Sequence, residues 1–191
     1  MGTEPEGSAP FPTEIQMTQL GLALYSAQRV EFALYGIAAH ASHTPAAQRD
    51  RRFANLSGEK FLRGDPSELK ATLGQLVTIF GDTFLIRTPD LISFYERRNL
   101  IAHDFYRHFY LRIRDTVHGE NPSAFLQTFI EDAQRWEAIL KGLLFEFMEG
   151  IAKRDGRSSE LNIRDRDRQN MAAYREHAEA YIRSQAGEAA G

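Results

Sequence analysis

Apolar positions along this chain follow the helical period far more often than the strand period. Clean alternation of apolar and polar residues bounded by turn residues is missing, as is any Asn-Gly hairpin signal. Residues 13–41 form a long segment rich in Leu, Ala and Tyr that reads as a buried helix. A polar connection follows, and then Asp65-Pro66-Ser67-Glu68 supplies an N-cap, a proline at the first helical position and an acid at N3, opening a helix to about residue 87. Thr88-Pro89 repeats the device for a third helix, and Asn121-Pro122 repeats it for a fourth that reaches about residue 153. A charged stretch then leads to a weakly amphipathic helix over residues 169–184, and the tail from Gln185 reads as disordered. The expected fold class is all-α: an antiparallel four-helix bundle with an additional C-terminal helix. Its expected limits are a disordered segment at 1–13, the bundle at 14–153, and the charged linker, helix and tail at 154–191.

At 191 residues and 42% hydrophobic content the chain suits a single domain with a real core. A formal net charge of -3 excludes a generally basic nucleic-acid coat, so contact with RNA or DNA would need a local patch. Two segments could supply one. Residues 49–63 carry five Lys/Arg against two Asp/Glu, and residues 87–118 carry six Arg against four Asp/Glu. With no cysteine the chain has no disulfide, thiolate metal site or cysteine nucleophile, which fits a reducing compartment. The first residues lack the charged and apolar regions of a signal peptide, and no apolar run approaches the roughly 18 residues that span a bilayer. The expectation is a cytoplasmic protein without membrane contact.

The stretch 96-ERRNLIAHDFYRH-108 sets arginines, an asparagine and histidines in a segment otherwise suited to a core. At about 100° per residue, Glu96, Asn99, His103, Tyr106 and Tyr110 fall along one side of a helix, and Arg98 lies roughly 140° from His103. Most of this helix is therefore expected to be buried. A buried arginine needs a partner, and Glu31, at helical spacing with Gln28 and Tyr35 on the first helix, can supply it. On spacing alone His103 reads as a core histidine bonded to Asn99 or to a carbonyl. There is no HExxH, no ExxH pair and no cysteine ligand set, so no metal site and no cofactor are expected.

Arg98-Asn99-Leu100-Ile101-Ala102-His103, with the aromatic-rich Asp104-Phe105-Tyr106 behind it, resembles the R-N-x-x-x-H signature of HEPN domains. The resemblance spans residues 14–150 and implies a helical bundle bearing the signature on its third main helix. It also implies a metal-independent endoribonuclease that works as a homodimer, toxin-like or defence-related, with the two motifs meeting in a composite site. His103 would then be the base or acid, Arg98 the phosphate stabiliser, and Asn99 the residue that orients His103 or the phosphate. Tyr106, Arg107 and Arg112 would contact RNA. The partners implied are RNA, a second copy of the chain and, in the toxin-like case, an antitoxin protein. One position departs from the toxin pattern: where those toxins carry a modifiable tyrosine two residues after the histidine, this chain has Phe105. The competing readings are a catalytically inactive HEPN module that binds a nucleotide or protein partner, with Arg98 and Glu31 as a core ion pair, and a plain helical scaffold.

Overall fold

The computed structural model describes residues 11–41, 83–111 and 121–188, which are helical and contain no strand. The expected helix opened by Asp65, the basic stretch at 49–63 and Arg112 lie outside the described residues. Helix α1 runs Glu14–Ala41. Its start is a reciprocal cap: Thr13 N–H donates to Gln16 Oε1 at 2.8 Å, and Gln16 N–H donates to Thr13 Oγ1 at 3.3 Å. Helix α2, Pro89–Asn99, begins where Thr88 Oγ1 accepts from Leu91 N–H and Pro89 fills the first turn.

The chain then widens into a π-turn, Leu100–Asp104, and closes with the short helix α3, Phe105–Phe109. Helix α4, Pro122–Arg154, starts on Asn121, whose Oδ1 accepts from Ser123 N–H at 2.8 Å and Ala124 N–H at 3.3 Å. A 3-10 turn at Ser158–Glu160 leads to helix α5, Asp165–Glu188.

Helices α1 and α5 both pack along α4. Ala23, Val30, Leu34 and Ile37 of α1 meet Leu126, Phe129, Ala133 and Leu140 of α4, while Leu91 and Phe94 of α2 complete the core. Phe94 and Phe129 stack with ring centroids 4.7 Å apart. Gly142 lets α5 approach α4 closely: a Cβ there would lie 2.0 Å from the Asn170 carbonyl oxygen. From this seat α5 grips the turn before α2. Tyr174 Oη donates to the Phe84 carbonyl at 3.2 Å, and His177 Nε2 lies 3.1 Å from the Leu85 carbonyl. A carbonyl only accepts, so the proton of His177 sits on Nε2. Leu85 has φ 58°, a left-handed conformation that costs a branched L-residue about 1–2 kcal/mol.

Three expectations are corrected. Helix α1 is not buried all round: Ile15, Met17, Leu22, Tyr25 and Phe32 are exposed, because its apolar residues exceed what α2 and α4 cover. The tail expected to be disordered from Gln185 is helical to Glu188, continuing a helix whose Ala, Gln and Glu favour it. The motif segment is neither a continuous α-helix nor mostly buried. The π-turn interrupts it, and Glu96, Ala102, His103, Tyr106 and Arg107 are exposed.

Candidate functional site at the π-turn

Arg98 and Asn99 end α2, and His103 lies one turn later within the π segment. A π-turn closes its hydrogen bonds over five residues instead of four, so each residue rotates less than in an α-helix. The angle between Arg98 and His103 therefore falls below the roughly 140° of an unbroken helix.

Arg98 continues the buried row of Leu91, Phe94, Ile101 and Phe105, which carries its guanidinium toward α1. There Nη2 lies 2.6 Å from Glu31 Oε1, with the two side chains 28% and 19% exposed. Its Nη1 donates to Asn99 Oδ1 at 3.2 Å. Tyr35, one turn beyond Glu31 on α1, stands in the field of both ions. Burial, and then the Glu31 carboxylate, push its hydroxyl pKa up, while Arg98 opposes them. The phenol is thus held protonated beside the ion pair.

His103 is exposed and has no hydrogen-bond or ion-pair partner among the described residues, so neither bond expected of a core histidine is made. Asn99 is engaged with Arg98 and not with His103. Beyond His103 the aromatics form a continuous run. Tyr106 stacks on Tyr110 at 5.9 Å with the planes 16° apart, and Phe11 approaches Tyr106 at 6.5 Å. Tyr110 Oη donates to Gln16 Oε1 at 2.8 Å, fastening this run to the first turn of α1. Tyr106 remains 40% exposed. Such a face suits the flat surface of a nucleobase.

Three of the six arginines counted in residues 87–118 sit on carboxylates. Arg97 pairs with Asp132 at 2.7 Å, Arg98 with Glu31 at 2.6 Å, and Arg107 with Asp104 at 2.5 Å. Two of the three carboxylates come from α1 and α4, far away in sequence, so a count along the motif segment misses them. Asp132 also draws Arg135, which reaches Asp90 at 3.5 Å, tying α4 to the start of α2. Among the described residues no three His, Asp or Glu side chains converge as a metal-binding group, and no helix is long and apolar enough to cross a membrane.

Reading the sequence for function missed the role of His177 and the pairing of Glu137, which is buried in α4 between Arg29 at 2.7 Å and Lys141 at 2.5 Å. Only the i,i+4 spacing of Glu137 and Lys141 was a local signal for it. Comparison with known proteins gives no match: no family model, no curated protein and no solved structure is similar to this chain.

Proposed function

We propose that the chain is a metal-independent endoribonuclease of the HEPN type, acting as a homodimer in which two π-turn motifs form one composite site on an antiparallel bundle. The observation that carries this reading is His103. It stands exposed and without a partner among the described residues, five positions after an arginine whose orientation is fixed by Glu31 and Asn99. Cleavage would proceed by attack of a ribose 2'-hydroxyl on its own phosphate. The 2'-oxygen–phosphorus bond forms and the bond to the 5'-oxygen breaks. One histidine takes the hydroxyl proton, and the His103 of the partner subunit delivers a proton to the leaving oxygen. General acid–base help of this kind is typically worth about 10²- to 10⁴-fold each. Arg98 would stabilise the charge developing on the phosphate, a task that the bidentate geometry of a guanidinium suits. The aromatic run through Tyr106 would stack a base next to the scissile bond.

A second reading rests on a specific observation. Each of Arg97, Arg98 and Arg107 already sits on a carboxylate, which favours a catalytically inactive module that binds a nucleotide or a protein partner. One experiment separates the two: wild-type and His103→Ala proteins are incubated with total RNA and transfer RNA in EDTA, and the products are resolved on a gel. The nuclease reading expects cleavage by wild type, with loss of at least about 10²-fold in the variant. Equal activity of the two proteins, or none in either, moves the assignment to the binding module.

A further inference from the structure

We propose that the aromatic run where the start of α1 meets the end of the motif is a nucleobase subsite that selects a keto base, uracil or guanine, and that Gln16 is the residue that reads it. The stacking surface is open: Tyr106 is 40% exposed, and Phe11, its neighbour at 6.5 Å, is 71% exposed. Behind Tyr106 lies Tyr110, nearly parallel to it at 5.9 Å and buried, so the platform is backed by a ring anchored in the core. His103, three positions before Tyr106, is exposed on the same stretch of chain. Stacking alone tolerates every base, since each has a π-face. A choice among bases needs a polar group held at the edge of the platform, and the Tyr110 hydroxyl holds Gln16 there.

The amide of Gln16 is fixed by two donors. Thr13 N–H reaches Oε1 at 2.8 Å, and the Tyr110 hydroxyl reaches the same oxygen at 2.8 Å. A backbone N–H only donates, so the atom facing it must be the amide oxygen, and the orientation of the whole amide follows. Burial pushes the Tyr110 hydroxyl pKa up, which preserves the proton this bond uses. An amide oxygen has two lone pairs, and both are taken. What Gln16 still offers is Nε2, whose two N–H groups have no acceptor among the described residues. A free glutamine pairs with adenine because it donates and accepts at once. Gln16 cannot accept. The exocyclic amino group of adenine or cytosine therefore meets N–H against N–H, whereas O6 of guanine or O4 of uracil finds a donor.

The inference rests on the nuclease reading for its substrate class, RNA, while binding tests it without cleavage. Labelled 2'-O-methyl tetranucleotides have no 2'-hydroxyl to attack, and fluorescence anisotropy gives their dissociation constants with the full chain. The uridine tetramer should bind about tenfold more tightly than the cytidine tetramer, the worth of one hydrogen bond kept or lost. Tyr106→Ala should weaken both by about 10- to 100-fold with circular dichroism unchanged, since stacking serves either base. Gln16→Glu should reverse the ratio, because its second oxygen accepts where Nε2 donated, and a glutamate suits this third helical position equally well. The ratio is what counts, as the added negative charge lowers both affinities. Tyr110→Phe should bring the ratio toward one by freeing a lone pair on Oε1 for the amino group of cytosine. Equal constants in wild type, a preference for cytidine, a ratio unmoved by Gln16→Glu, or no binding of either tetramer overturns the proposal. Cleavage of RNA in EDTA alongside equal constants would leave the nuclease reading standing without this subsite. A uridine preference in a chain that cleaves nothing would leave the subsite standing without the nuclease.

Discussion

Replacing Gly142 by alanine tests how tightly α5 is seated on α4. In an unobstructed helix interior the change stabilises, since alanine is better than glycine there by about 0.8–1 kcal/mol. Gly150, on the same helix with nothing within 4 Å of its added Cβ, provides that reference. At Gly142 the new Cβ would lie 2.0 Å from the Asn170 carbonyl oxygen, 2.6 Å from its carbon and 2.9 Å from Tyr174 Cβ. The first two atoms are backbone, so no side chain can rotate away and α5 must move outward by roughly 1.5 Å to reach ordinary contact. Overpacking of this kind costs about 1–3 kcal/mol. The displacement also lengthens the Tyr174 and His177 bonds to the Phe84 and Leu85 carbonyls, each worth about 0.5–1.5 kcal/mol. Offset by the propensity gain, the net loss is about 1–5 kcal/mol, or roughly 2–20 °C in melting temperature for a chain of this size. Thermal unfolding followed by circular dichroism measures it, and the fluorescence of Trp136, the one tryptophan, reports on the α4–α5 contact directly. A Gly142→Ala protein that melts with or above Gly150→Ala would show that α5 is not seated as described.

Two further outcomes follow from named contacts. Burial, partly opposed by the Leu85 carbonyl, pulls the His177 pKa below its ordinary value, with Arg135 lowering it further and Asp90 raising it. The stability from keeping this ring neutral is complete above the unfolded value of about 6.5 and is lost as pH falls from there through the lower folded value. The denaturant midpoint should therefore drop on mild acidification and the drop should flatten in His177→Gln; parallel profiles for the two proteins would contradict this. Glu31→Ala should destabilise by about 1–3 kcal/mol, less than for a fully buried pair because both side chains are partly exposed. Glu31→Gln should lose less, as the amide oxygen can still accept from Arg98, and melting temperatures equal to wild type in both variants would refute a stabilising pair.

The parts of this molecule written in local chemistry were legible in the sequence. Thr88-Pro89 and Asn121-Pro122 start helices because a side-chain oxygen satisfies free N–H groups and proline loses nothing at the first turn. Thr13 and Gln16 form the same kind of signal at α1. Helical spacing also nominated Glu31 as the residue within reach of Arg98. What stayed illegible depends on contacts between distant segments or on small changes of backbone phase. No residue between Leu100 and Asp104 announces a π-turn, yet it moves His103 and Tyr106 onto an open surface. The neutralisation of Arg97 by Asp132 likewise appears only when α4 is laid beside α2. Apolar residues of α1 looked like core because periodicity shows that a face is apolar, not what covers it.

The C-terminal helix, which sequence reading set apart as an appendage, is mechanically part of the motif's frame. Leu85 holds an unfavourable left-handed conformation three residues before the Thr88 cap. Such strain persists only where surrounding structure fixes it, and here that structure is α5, which bonds the carbonyls on both sides of the Phe84–Leu85 step. His177 in turn rests edge-on against Trp136, with ring centroids 5.2 Å apart, and the close approach at Gly142 sets how far α5 stands from α4. The entry angle of α2 is thus determined from below by its cap and from the side by α5. Arg97 on Asp132 and Arg98 on Glu31 then pin the end of the same helix to α4 and α1. A helix fixed at both ends leaves the π-turn beyond it as the place where the backbone departs from regular geometry. The ion pairs and the C-terminal helix therefore share one structural consequence: they hold the last turn of α2 still while His103 projects from a surface that they leave open.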